Sequence, residues 1–294
     1  MNFFRSVPGL IVFLTLLTFS CRRNNNISDI GIDSINLDEP VPMEYMYDTT
    51  GVGIPIFYNM YLSVELSSLF MSSGAVFEQS LLNPYNNVNN YVTSSKKAFN
   101  LGVFAVDLSY SKVFEQLDLA ANYFNAMQRM AEELGIPAVY FETTADRFEK
   151  NINNKDSLIK IANEVYMATD NYLKENERYG TAAQVIIGGW IEAVYIACDL
   201  ANSTRDIAVI DRLAEQKFSL ENLTKMLANY REDDMIEKYI GELSSLQPAF
   251  NALYDRIQKG FGPVTPNSQE VRDYLDLTAG IGKLINPIRS GIVE

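Results

Sequence analysis

Leu101–Leu134 reads LGVFAVDLSYSKVFEQLDLAANYFNAMQRMAEEL, and Gly135-Ile136-Pro137 follows it. Its polar and apolar residues recur at the 3.6-residue period of a helix, not at the two-residue period of a strand. On a helical wheel Asp107, Ser111, Asp118, Asn122, Asn125, Arg129 and Glu132 share one face. Val113, Leu117, Ala120, Phe124, Met127 and Ala131 share the other. A glycine with a proline just beyond it is a helix stop, so the stretch is expected to run as one long helix to Gly135.

Outward from this stretch the same period continues. Helices are expected at 138–150, 156–176, 181–202, 205–228, 232–259 and 268–285. On the N-terminal side, Ile54–Met71 is rich in aromatic residues and leucine, with Pro55 tolerated in a first helical turn. Leu81–Asn90, LLNPYNNVNN, reads as a loop from its asparagines and proline. Ser203-Thr204-Arg205-Asp206 and Asn267-Ser268-Gln269-Glu270 carry helix-start signals, the second with the spacing of a capping box led by Asn267. Breaks at Gly180 and at Gly260-Phe261-Gly262-Pro263 are short, as between antiparallel neighbours. Ala138-Val139-Tyr140-Phe141 is the one strand-like run, and no fixed-period repeat is visible. The expected fold is all-α: a multi-helix antiparallel bundle of mostly long amphipathic helices with short loops, one domain over 41–294.

The chain opens differently. Leu10–Leu17, LIVFLTLL, is an apolar run of signal-peptide length, too short for a spanning helix of about 20 residues. It ends Leu17-Thr18-Phe19-Ser20-Cys21, which resembles the lipobox of bacterial lipoprotein signals, with Thr18 where an apolar residue usually stands. The resemblance implies that residues 1–20 are a lipoprotein signal peptide and that Cys21 is the lipidated residue. The plainer alternative is an ordinary secretory signal with an incidental cysteine. Residues 21–40, opening Arg22-Arg23-Asn24-Asn25-Asn26, read as a flexible tether, and residues without periodicity continue to 53. Lipid chains on Cys21 would make the membrane the partner of this end of the chain, at about 0.8 kcal/mol per buried CH₂. Residue 22 is Arg rather than the Asp of inner-membrane retention signals, and no acidic cluster follows Cys21 at once. These features point to the bacterial cell envelope, at the outer membrane and facing the periplasm.

Two internal segments carry a second resemblance. Asn100-Leu101-Gly102-Val103-Phe104-Ala105-Val106-Asp107-Leu108-Ser109-Tyr110 and Gly188-Gly189-Trp190-Ile191-Glu192-Ala193 resemble segments of uncharacterised all-helical lipoproteins of Bacteroidota bacteria. That resemblance implies a secreted, helical, lipid-anchored protein and brings no activity, ligand or catalytic residue with it.

Composition excludes several chemistries. The 294 residues include no histidine and only 2 cysteines, and the net charge is −13. Ser-His-Asp and Cys-His catalysis, His-ligated metals, Cys₄ zinc sites and disulfide frameworks are therefore out. The negative charge argues against nucleic acid as a partner. Neither a cofactor nor a metal site is expected. Cys198, in an apolar stretch with no histidine to activate it, reads as a buried small hydrophobe rather than a nucleophile. Gly188-Gly189 lacks the spacing and the Lys-Ser/Thr of a phosphate loop, and reads as a place of close helix packing beside Trp190. The 37 acids make chance carboxylate pairs common, and the 17 Tyr and 16 Phe read mainly as core rather than as a sugar-binding groove.

One polar feature stands out. Along the helix expected at 181–202, Thr181, Gln184, Gly188, Glu192, Tyr195, Asp199 and Asn202 form a narrow stripe on an otherwise apolar helix. Such a stripe either faces bulk water or lines a cleft between helices. Glu192, Tyr195, Asp199 and Trp190 are the candidate cleft residues. The expected role is non-enzymatic: ligand or partner binding, or a scaffold, with a protein or glycan as partner. The alternatives are a carboxylate-based glycan-active enzyme and an accessory subunit of an envelope complex.

Overall fold

The architecture is described from a computed structural model, over residues 73–137, 147, 150, 172–260, 265 and 268–294. Seven helices longer than two turns lie among these residues: α1 Ser94–Val113, α2 Leu117–Glu133, α3 Tyr179–Thr204, α4 Ile207–Leu227, α5 Asp234–Ser244, α6 Gln247–Gln258 and α7 Gln269–Val293. Three short 3₁₀ turns, Gln79–Leu81, Tyr85–Asn90 and Ala228–Tyr230, accompany them, and there is no strand among the described residues. The protein is an all-α multi-helix bundle. The helices expected at 54–71, 138–150 and most of 156–176 lie outside the described residues, as do Cys21 and the whole leader.

The long helix expected over 101–134 is in fact two. Glu115 stands in the left-handed region (φ 58) between α1 and α2. Its N–H donates to Lys112 O at 2.9 Å, and Gln116 N–H donates to Ser111 O at 2.8 Å. That pair of bonds is a Schellman turn, which usually takes glycine at the left-handed position. Glu177 (φ 58) makes the same turn just before α3, and Gly135 (φ 77) makes it after α2. The stop at Gly135 was legible; the two built on glutamate were not.

Other boundaries also differ from expectation. The run 232–259 breaks at Ser245-Leu246, and Pro248 lies in the first turn of α6. The last helix does not stop at 285 but passes Pro287 and continues to Val293. Ser268, not Asn267, caps it, accepting from Val271 N at 3.3 Å. Asp206 caps α4 by accepting from Ala208 N and Val209 N, and Asp233 does the same for α5. Each such cap satisfies backbone donors that a helix start leaves open.

The centre of the bundle is α3, packed by α1, α7 and α4, while α2 covers α1 and α6 bridges α4 and α7. α3 is long and apolar enough to cross a membrane, but 89% of its apolar window is buried inside the protein, as in a core helix. Its contact with α1 is unusually close. A Cβ on Gly188 would overlap the Phe99 carbonyl, and one on Gly102 would overlap the Val185 carbonyl. Only glycine lets the two backbones meet there. The wheel's polar face for 101–134 also needs correction at its N-terminal end. Asp107 and Ser111 are both fully buried, whereas Asp118, Asn125, Arg129 and Glu132 are exposed on α2. Where α3 backs α1 and α2 backs its other side, little of α1 is left for water.

Candidate functional site: a buried carboxyl pair clamped by Arg289

The polar stripe of α3 divides along its length. Gln184, Gly188 and Glu192 are buried, Thr181 and Tyr195 are half-buried, and Asp199 and Asn202 are exposed. Gln184 Nε2 donates to Asp233 Oδ2 at 3.2 Å, which ties α3 to the start of α5. Trp190 is fully buried on another side of α3, its ring 5.9 Å from that of Phe250 on α6, and its Nε1–H meets no acceptor among the described residues. Asp199 and Trp190 are thus set apart from Glu192, while Tyr195 is brought to it.

Glu192 is 0% exposed. Arg289, two residues past Pro287 on α7, grips it with two donors: Nε to Oε2 at 2.6 Å and Nη2 to Oε1 at 2.7 Å. Two-pronged guanidinium–carboxylate contact is the geometry that best repays burial of both charges. The same guanidinium lies 4.1 Å from the centre of the Tyr195 ring, a cation–π contact. Its Nη2 also donates to Leu81 O at 3.0 Å. Burial works against the Arg289 charge, but Glu192 holds the guanidinium above its ordinary pKa.

A second buried acid completes the group. Asp107 of α1 is 0% exposed and lies against the Glu192 carboxyl. Its Oδ2 accepts from Asn83 N–H at 3.3 Å, and among the described residues no N–H or O–H of a neutral or basic group reaches its Oδ1. Burial first, then the Glu192 charge, push the Asp107 carboxyl well above the usual carboxylate range, against the opposing pull of Arg289. Tyr123 and Tyr91 stand at the rim. Their phenols are raised chiefly by burial, that of Tyr91 to about 12.

Around the acids runs a layer of amide and phenol contacts. Asn83 Nδ2 donates to Asn100 Oδ1 (3.0 Å) and to Tyr91 Oη (2.8 Å), and Tyr123 Oη–H donates to Asn83 O (2.8 Å). Asn100 Nδ2 donates to Ile292 O at 3.0 Å, Lys96 Nζ to Gly291 O and Ile292 O, and Tyr91 Oη–H to Val293 O. Side chains from α1 and the segment before it therefore satisfy the open carbonyls at the end of α7. No group of three or more Asp, Glu or Cys able to hold a metal ion occurs among the described residues.

Of this cluster only Glu192 and Tyr195 were picked out from sequence. Asp107 was visible as a lone acid in the apolar run GVFAVDLSY, but was placed on the solvent side. Arg289 lies beyond 285, where the last helix is expected to end, and Asn83 lies in the stretch read as a loop. Cys198 is free and fully buried, and burial pushes its thiol up. No protein-family model matches the chain, and neither a curated protein nor a solved structure matches it.

Proposed function

We propose that the protein is a lipid-anchored, non-enzymatic lipoprotein of the bacterial cell envelope. Its helical body would bind a ligand or partner, or serve as a scaffold, at the periplasmic face of the outer membrane. The carrying observation is the order of three elements at its start: the apolar run Leu10–Leu17, Ser20-Cys21, and the polar Arg22–Asn26. Such an order suits cleavage before Cys21 and a body held off the surface by its tether. An accessory role in an envelope complex is compatible with the same anchor.

The enzyme reading has one observation in its favour: two carboxyl groups converge, and one of them, Asp107, is raised. Glycan hydrolysis, however, requires two carboxyls about 5–9.5 Å apart across an open bond-sized gap. Asp107 and Glu192 are in contact, sealed from solvent, and Arg289 occupies both Glu192 oxygens. That is the arrangement of a structural pair, and it favours the non-enzymatic reading.

The anchor is tested by growing a bacterial host on labelled palmitate. The full chain should take up label, and Cys21→Ser should not. Label on Cys21→Ser, or a mature N-terminus other than residue 21, would contradict the proposal.

A further inference from the structure

Glu78–Tyr91 crosses the helices as a strap with two short 3₁₀ turns and no helix or sheet ladder of its own. Apolar side chains hold it along its length: Phe77, just before it, packs on Tyr110 and Phe114, and Leu81, Leu82, Val88 and Tyr91 are buried. Around Asn83 it is also fastened by polar groups. Leu81 O accepts from Arg289, Asn83 N–H donates to Asp107, and Asn83 O accepts from Tyr123. The strap's polar fastening thus converges on the Asp107–Glu192–Arg289 group.

That group contains two acids in contact and one guanidinium that spends both its strong contacts on Glu192. With both acids ionised, Asp107 Oδ1 would be a buried anionic oxygen with no donor among the described residues, pressed against a second carboxylate. A proton on Asp107 Oδ1, donated to Glu192, removes the extra charge and supplies the missing bond. We propose that a proton shared between Asp107 and Glu192 locks the Glu78–Tyr91 strap over α1, α2 and α7, so that the strap opens as pH rises.

The sign follows from linkage. In the closed state Asp107 is surrounded by Glu192 and Tyr195 from α3, Arg289 from α7, Tyr123 from α2 and Tyr91 from the strap itself. Opening the strap lets water reach Asp107, which then ionises in the usual range near pH ~4. Closing therefore takes up a proton. The closing equilibrium weakens up to about tenfold per pH unit from that range up to the raised closed-state value, and is flat above it.

The experiment is amide hydrogen exchange on the full chain between about pH 5 and pH 8, corrected for the intrinsic pH dependence of exchange. Protection of the strap amides, Asn83 above all, should fall with rising pH in the wild type. In Asp107→Asn, which mimics the neutral acid, it should not. A flat wild-type profile, or the same slope in Asp107→Asn, overturns the proposal. Should Asp107→Asn fail to fold, carboxyl-carbon NMR of the wild type with labelled aspartate decides. One Asp carboxyl should titrate well above the rest, and a set that all titrate in the ordinary range overturns the proposal equally.

Discussion

Arg289 and Glu192 stand 97 residues apart in sequence and meet as a two-pronged ion pair at 2.6 and 2.7 Å, with the Glu192 side chain wholly out of water. Breaking such a pair from one side leaves an uncompensated buried charge. Arg289→Ala should therefore lose about 3–5 kcal/mol in a urea titration. Arg289→Lys keeps the charge but not the fork, and should lie between that variant and the wild type. The double variant Glu192→Met, Arg289→Met should lose less than either single change to Ala, because no charge is left without its partner.

Asp199 supplies the contrast within the same helix face. It is exposed and no cation among the described residues pairs with it, so Asp199→Ala should shift stability by no more than about 0.5 kcal/mol. Equal losses for Asp199→Ala and Glu192→Ala would mean that the division of the stripe into buried and exposed halves is wrong.

The α1–α3 crossing yields a prediction that turns on one methyl group. Gly102→Ala and Gly188→Ala each drive a Cβ into a backbone carbonyl of the opposite helix, and each should cost about 3 kcal/mol or more. Gly241 and Gly280 are also helical, but a Cβ on either meets nothing within 4 Å. There the same substitution should stabilise by about 0.5–1 kcal/mol, from helix propensity and a less free unfolded chain. Thermal unfolding of the four variants should separate them into two pairs.

How much of this was legible depends on what each signal measures. Periodicity reports which side of a helix is apolar, and it located α3 and the body of α2 well. It does not report what stands opposite, so Asp107 looked like a solvent-facing acid although α3 and the strap cover it. Gly188-Gly189 could be read as close packing because a glycine pair inside a helix has few other uses. Its counterpart, Gly102, gave no such sign alone. The turn at Glu115 escaped because its hydrogen bonds are those of a glycine turn made without glycine. Arg289 escaped because the expected helix ends at 285, whereas α7 passes Pro287 and runs on to Val293.

Those glutamate turns can be probed directly. A non-glycine residue in the left-handed region costs about 1–2 kcal/mol relative to an unstrained backbone, part of which glycine loses again to a freer unfolded chain. Glu115→Gly, at an exposed position (φ 58), should therefore raise stability by about 0.5–1 kcal/mol. A loss there would mean the Glu115 side chain contributes more than its backbone position costs.

Cys198 should be silent in the native protein. With its sulfur buried and the thiol raised, a thiol reagent should modify it only after denaturant is added. Rapid labelling without denaturant would show that α3 is more accessible than its packing implies.

The position of Arg289 in the chain also sets an order of events during synthesis. Glu192 emerges from the ribosome 97 residues before its counter-ion, and Leu81 emerges 208 residues before the same side chain. Until α7 has been made, burying α3 would strand a carboxylate in apolar surroundings, so the nascent body has a reason to stay open. Contacts of such long range close late and slowly, because the intervening chain must first be gathered. A fastening that only α7 can make thus ties the burial of α3 to a side chain that emerges 97 residues after Glu192.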